Sequence, residues 1–411
     1  MSTLATDVES RLSEAVQGSL ASGSDGDLIG GMRPRWVASP ASVDEVSAVL
    51  RLASDSGLAV VPRGAGTRLQ WGAAPSQCDV VLDLTRLDGL VEHTSGDLVA
   101  VAQAGMRLED LQARLASAGQ WLAVDPPRSG TVGGLVATAA TGPTRLLHGP
   151  VRDLVIGTTM VRADGVVAKS GGKVVKNVAG YDLGKLLTGS YGTLGVIVQV
   201  AFRLHPLPET SRWVTVPVRS ATEAQDVVLR VSHSHLVAAG VELDWAGGSG
   251  EIAVRLDGIP SGVEARTRDA LALLGDGAAE SDSAPGWWGA EPAGGDVLLR
   301  ISHEVASLGR ALAAVDGAAA AAGANAHTRG SAGVGTLDVV LDGGDPVAAL
   351  GELREAAPAF GGTVVVRDAP TEVKAAVDVW GPVRGLDLMR RVKDQFDPHR
   401  VLSPGRFVGG I

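Results

Sequence analysis

Hydrophobic positions along the chain fall into short runs, separated by glycine, proline and acidic turns, with stretches of helical spacing between them. The first strong signal comes after Trp36. Ser42-Val43-Asp44-Glu45 reads as a capping box ahead of apolar Val46, Val49, Leu50 and Ala53, and Gly57 stops that helix. Strands are expected over 58–61, 79–84, 90–93 and 98–103. A helix follows with Leu108, Leu111 and Leu115 on one face and Gly119 as its stop. Ala163-Asp164-Gly165 is a hairpin turn between apolar runs at 155–161 and 165–168. Asp182 is placed to cap a short helix ending at Gly189, and 192–202 reads as a strand.

Beyond Ser211 strand-like runs (213–218, 239–244, 252–256, 297–301, 336–341 and 363–367) alternate with alanine-rich helices, which predicts a sheet with helices on one face. Residues 276–295, with Trp287-Trp288, read as a loop or flap. The fold class is therefore α+β. Four regions are expected: a flexible N-terminal arm over 1–35, a first domain over 36–210, a second over 211–375, and a helix with an extended tail over 376–411 that packs back on the first domain.

Charge and composition narrow the function. A formal charge of −10 without a basic run or aromatic ladder argues against a nucleic-acid partner. A single cysteine, Cys78, allows neither an internal disulfide nor a cysteine-ligated iron–sulfur cluster. The opening residues lack the apolar core of a signal peptide, and the most apolar run, 311–324, is mostly alanine and broken by Asp316. A cytoplasmic protein is expected, reaching a membrane only through partner subunits.

One stretch stands out against this background. Four of the six lysines (Lys169, Lys173, Lys176 and Lys185) and both tyrosines, Tyr181 and Tyr191, lie within 169–195, among glycines that let backbone amides approach a ligand. Two other glycine-rich segments precede it. Pro62-Arg63-Gly64-Ala65-Gly66-Thr67 lacks the third glycine and following helix of a dinucleotide fingerprint, and also the Lys-Ser/Thr pair of a P-loop. It remains a turn whose amides suit an anion. Residues 125–142, DPPRSGTVGGLVATAATG, are thin enough for a flat ligand or for close helix–strand packing.

Taken in order, PRGAGT, PPRSGTVGGLVATAATGPTR, HGPVRDLVIG, GGKVVKNVAGYDLGKLLTGSYGTLGVI and FDPHRVLSPGRF resemble the vanillyl-alcohol-oxidase superfamily of PCMH-type FAD-binding proteins, and within it the FAD-binding subunit of bacterial glycolate oxidase. The resemblance covers roughly 36–210 and the tail. It implies a two-part PCMH-type FAD-binding domain followed by an α+β cap with a mainly antiparallel sheet. It also implies an FAD-dependent oxidoreductase acting on CH–OH donors, with a catalytic flavoprotein subunit and an iron–sulfur subunit as partners and a small 2-hydroxy acid such as glycolate as substrate.

By this resemblance Pro62, Arg63, Gly64, Ala65, Gly66 and Thr67 wrap the FAD pyrophosphate, while Pro126, Ser129, Gly130, Thr131, Gly133 and Gly134 line the cofactor from the other side. Arg152, Asp153 and Ile156 shape a turn beneath it, and Gly195, Val196 and Ile197 meet the adenine edge. Lys176, Asn177 and Tyr181 sit near the isoalloxazine or a subunit contact. Thr67 stands where covalent members carry a histidine, so FAD is expected to be non-covalent. The GDGNLH-type substrate motif of the catalytic dehydrogenases is altered here to Gly333-Val334-Gly335-Thr336-Leu337-Asp338, so no catalytic residue and no metal site are assigned. A self-sufficient 2-hydroxy-acid dehydrogenase using His327, Arg329 and Lys176, and an assembly subunit with a vestigial flavin site, remain the alternatives. His233, His235 and His148 read as structural.

Overall fold

The computed structural model describes residues 2–172 and 181–411. Its first half is built on a four-stranded and a five-stranded sheet, with a two-stranded pairing of Gln120–Trp121 and His205–Pro206 besides. In one, Trp36–Ala38 and Val60–Arg63 flank Val80–Asp83 in parallel, and Leu20–Ser22 adds an antiparallel edge. Helix Val43–Ser56 starts as the sequence implies: the Ser42 hydroxyl accepts the Glu45 amide at 3.2 Å. The Glu45 carboxylate in turn accepts the Ala41 amide at 2.9 Å. Gly57 ends it at φ 66°, a left-handed cap that a side chain would disfavour. The other sheet is antiparallel, in the order Leu90–Thr94, Val99–Gln103, Val196–Arg203, Val155–Val161, Val167–Gly171.

The N-terminal stretch departs from the expected flexible arm. Ser2–Ala15 is a helix whose Leu12 and Val16 end are fully buried against the first sheet's core. Leu20–Ser22 then joins that sheet, and Ile29 is buried as well. Serine, glycine and aspartate dominate the solvent side of this segment and dilute its few anchoring apolar residues, which is why composition alone suggested disorder.

The second half is a single eight-stranded antiparallel sheet, and strand alternation gives its two faces opposite characters. Val241, Leu243 and Trp245, Leu299 and Ile301, and Leu337, Val339 and Leu341 point to one side. There they share a core with helices Ala221–Ser232, Pro260–Leu274, Leu308–Ala321 and Pro346–Ala356. Glu242, Asp244, Arg300, Arg329 and Asp338 occupy the intervening or facing positions on the other side. Strand register sets Asp244 opposite Arg329, Arg329 opposite Asp338, and Asp338 opposite Arg300. This polar face is turned toward the first half. The α+β class read from the sequence, with a mainly antiparallel sheet in the second part and helices on one face of it, is what the structure has.

After helix Leu386–Phe396 the tail returns to the first half. Lys393 and Asp397 form a fully buried ion pair at 2.6 Å, and the Lys393 ammonium also donates to the carbonyls of Thr193 and Leu402. Leu402 pairs with Val60 in a parallel bridge, so the tail extends the strand that leads into the Gly64–Thr67 turn.

Candidate functional site

Strand Val60–Arg63 delivers the glycine turn to the mouth of a cleft of about 760 Å³, part of it open to solvent. Arg63 anchors the turn through ion pairs to Asp83 at 2.8 Å and to Asp27 at 2.6 Å. The acid at Asp27 is drawn down to about 2 by the Ser24 hydroxyl and by Arg63. Beyond that anchor, among the described residues, none of the backbone amides from Gly64 to Arg68 donates to another protein group. A run of free amides in a turn forms a nest for an anion.

The opposite wall is the start of helix Val132–Ala137. Gly133 approaches Ala104 so closely that a Cβ there would lie 2.7 Å from the alanine methyl. Thr131 caps this wall with a buried hydroxyl that has no hydrogen-bond partner among the described residues. A buried polar group without a partner is costly, so one left facing a cleft points to a ligand atom. Gly195 and Ile197 close the far end. Two guanidiniums, Arg68 and Arg406, complete the lining, each with an unpartnered buried Nε. Burial pulls both down to about 10, so they remain charged near neutrality. Free amides, an unpartnered hydroxyl and two cations around a glycine cradle fit the pyrophosphate of a dinucleotide.

Sequence expectations and structure overlap unevenly here. Pro62, Arg63, Gly64, Ala65, Gly66, Thr67, Thr131, Gly133, Gly134, Gly195 and Ile197 all line the cleft. Gly130 abuts the turn from behind, where a Cβ would sit 2.9 Å from the Thr67 hydroxyl. Pro126 and Ser129 lie in the same approach loop without lining the cleft, and Val196 points into the core between the sheets. Arg152 and Asp153 are exposed on helix Val151–Leu154, and Ile156 is half-buried on the strand after it; none of the three lines the cleft. Tyr181 is 93% exposed. Lys176 and Asn177 fall outside the described residues.

Arg68, Tyr191, Gly192 and Arg406 were not anticipated as lining. Tyr191 holds a left-handed φ of 55°, unusual for an aromatic residue, and packs edge-on against Trp380 at 5.0 Å. The one available signal for it was its place in the tyrosine-bearing stretch.

A second recess, of about 390 Å³ and partly open, lies where the polar face of the cap meets the first half. Most of its charges are paired. Arg300 clasps Asp338 with bonds of 2.8 and 2.6 Å, Arg367 reaches the same carboxylate at 3.4 Å, and Arg329 holds Asp244 at 2.5 Å. The Arg367 guanidinium also stacks on Trp71 of the first half, 3.4 Å from the ring centre. His327 shares Asp244 at 2.7 Å, so two of the three residues considered for an unfamiliar catalytic site, His327 and Arg329, are engaged by one carboxylate, and the third, Lys176, falls outside the described residues. The loop that follows Trp287-Trp288 borders this recess. Gly289 and Ala290 form its rim, Trp287 donates to Glu251 at 2.9 Å, and Glu291 pairs with Arg128 of the first half at 2.7 Å. His148, packed edge-on against Trp121 and tilted against His205, is lowered to about 4 by burial and is a packing residue.

The chain is similar to proteins of known kind. Residues 34–171 match the family described as FAD binding domain. This chain carries an FAD-binding domain. The chain is 43% identical over 133 residues to glycolate oxidase subunit GlcE of Escherichia coli, a match covering 32% of this chain and 38% of that protein. It is 28% identical over 419 residues to glycolate oxidase subunit GlcD of Bacillus subtilis, covering 91% and 88% of the two chains. In architecture it superposes on p-cresol methylhydroxylase with a TM-score of 0.75 at 16% identity, covering 98% of this chain and 96% of the other, a likeness of fold alone. The resemblance read from the glycine motifs is borne out, and with it FAD as the cofactor.

Proposed function

We propose that this chain is the FAD-binding subunit of a glycolate oxidase or dehydrogenase complex, supporting oxidation of a small 2-hydroxy acid to its 2-oxo acid. The observation that carries this reading is the row of free amides from Gly64 to Arg68 facing the unpartnered Thr131 hydroxyl. In this reading those groups hold the FAD pyrophosphate, Gly195 and Ile197 border the adenine, and residues 36–210, 211–375 and 376–411 act as cofactor domain, cap and tail clasp. When bound, FAD supplies a two-electron acceptor for the substrate's C–H bond. The protein's part is to bind, orient and exclude water.

Relatives that carry the names of two glycolate oxidase subunits support a place in a multi-subunit complex. A companion flavoprotein would take the main oxidative role, and an iron–sulfur subunit would accept the electrons. Cys78 fits that division: it is buried, its thiol is pushed up to about 11 by burial, and it is the chain's one cysteine. Thr67 at the turn supports non-covalent attachment. The test is direct. Purified protein should show flavin absorbance, release all of it on acid precipitation, and co-purify with its two partners when the three are produced together. A protein that takes up no FAD on reconstitution would overturn the reading.

A further inference from the structure

Within the recess beneath the cap, Arg145 is a cation without an acid. Among the described residues no carboxylate lies within ion-pair distance of it, and its single hydrogen bond is a long one, 3.4 Å to the Thr336 hydroxyl. It is nonetheless held firmly in place. A Cβ on Gly142 would stand 1.8 Å from the Asp125 carbonyl oxygen, so only glycine permits the tight approach of these two segments. The Asp125 carboxylate then accepts both the amide and the hydroxyl of Thr144, at 3.1 and 2.6 Å, fixing the residue before Arg145. Burial lowers Arg145 from its ordinary value, an expense that a bound anion would offset.

Glu242 lies in the same recess, 5% exposed, and accepts a hydrogen bond from the Ser331 hydroxyl. Burial raises its carboxyl to about 8; Asp125 and Asp338 push the same way, and Ser331 and Arg145 oppose them. Among the described residues the other charged groups around Glu242 are engaged: Asp338 is shared by Arg300 and Arg367, Arg329 belongs to Asp244, and Asp125 is turned to Thr144. Near neutral pH the recess offers one unpaired guanidinium beside one neutral carboxylic acid that can donate a hydrogen bond.

We propose that this recess is a binding site of the chain's own for a small 2-hydroxy or 2-oxo monocarboxylate, with Arg145 pairing the ligand's carboxylate and the Glu242 side chain hydrogen-bonding to it. The choice of ligand class rests on the FAD reading above; the anion site itself does not. A guanidinium and a donor acid select a carboxylate, and the Gly289–Ala290 rim keeps the space small. This assigns a ligand to a subunit whose altered Gly333–Asp338 segment had argued against one. Asp338, standing where the dehydrogenase motif has its histidine, orders Arg300 and Arg367.

The experiment is calorimetric titration of the flavin-loaded protein with oxamate, a 2-oxo monocarboxylate analogue that the flavin cannot oxidise, between pH 6.5 and 9.5 in buffers of different ionisation enthalpy. Because only the protonated Glu242 binds, affinity should fall about tenfold per pH unit above about pH 8, with close to one proton taken up per oxamate at pH 9. Glu242→Gln keeps a donor, so it should bind with a flat pH profile and no proton uptake. Arg145→Gln should lose at least about tenfold in affinity at every pH while retaining the proton linkage. Absence of oxamate binding, or a pH profile unchanged in Glu242→Gln, would overturn the proposal. Proton uptake by the unmutated protein stands whether or not a variant folds. Flavin content, read from absorbance in the same samples, scores the FAD reading separately.

Discussion

The Thr131 hydroxyl occupies the space that a side chain on Gly64 would need: a Cβ at position 64 would stand 2.0 Å from the Thr131 Oγ1. The two walls of the glycine-lined cleft therefore touch at a glycine and a threonine. Gly64→Ala should force them apart and weaken FAD binding by tenfold or more, measured by fluorescence titration of the apoprotein. Thr131→Val is the complementary case. It removes an unpartnered buried hydroxyl, so the apoprotein should gain about 1 kcal/mol of stability while its flavin affinity falls. Opposite movements of apoprotein Tm and flavin affinity identify the hydroxyl as a ligand contact.

Arg406 ties the tail to the cleft. Its Nη2 donates to the carbonyls of Leu69 at 2.5 Å and Trp71 at 2.9 Å, immediately after the free-amide turn. Arg406→Ala should cost about 2–4 kcal/mol by leaving these acceptors unpaired. It should also raise the FAD dissociation constant, since the turn loses its far anchor. Denaturant melts with and without FAD measure both effects.

The buried Lys393–Asp397 pair should be unforgiving of half-removal. Asp397→Asn leaves a fully buried ammonium without its counter-charge, and a loss of about 3 kcal/mol or more is expected. Urea denaturation is the check, and the shift should be far larger than for the exposed Arg268–Glu264 pair.

Glu242 also predicts a pH dependence of stability. Its carboxyl ionises at about 4.5 when unfolded and about 8 when folded, so between these values the folded state holds a proton that the unfolded state has released. Stability from this group is full below about pH 4.5, falls as pH rises toward 8, and then levels, at up to about 1.4 kcal/mol per pH unit. Glu242→Gln should flatten the upper part of that decline. Asp125, raised to about 6 by burial, should preserve a decline between about pH 4 and 6 in the variant. Thermal melts across pH 4–9 resolve the two windows.

Much of the glycine-lined cleft was legible because its chemistry is local. Gly64, Gly66, Gly133 and Gly134 announce bare backbone over a few consecutive residues, and the capping pattern at Ser42–Glu45 sets its helix within one turn. What escaped reading depends on distant encounters. Arg406 reaches the cleft only because the tail bridges to Val60, and Arg68 lines it through a turn that carries no helix period. Glu242, Ser331 and Arg145 come from three separate segments, and only strand register reveals that the first two face the same side. Arg152 and Asp153 lie outside the cleft lining, and a motif's position along the chain does not say which way a one-turn helix presents its side chains.

The alternation of Asp244, Arg329, Asp338 and Arg300 across four neighbouring strands has a consequence for how the cap assembles. Slipping any one strand by a single residue would exchange its faces, sending a charge such as Asp338 among the aliphatic side chains and Leu337 out into the recess. Each neighbour would lose its opposite charge at the same moment. Misaligned pairings are thus penalised twice during folding, and the row of charges acts as a set of alignment pins for the whole sheet.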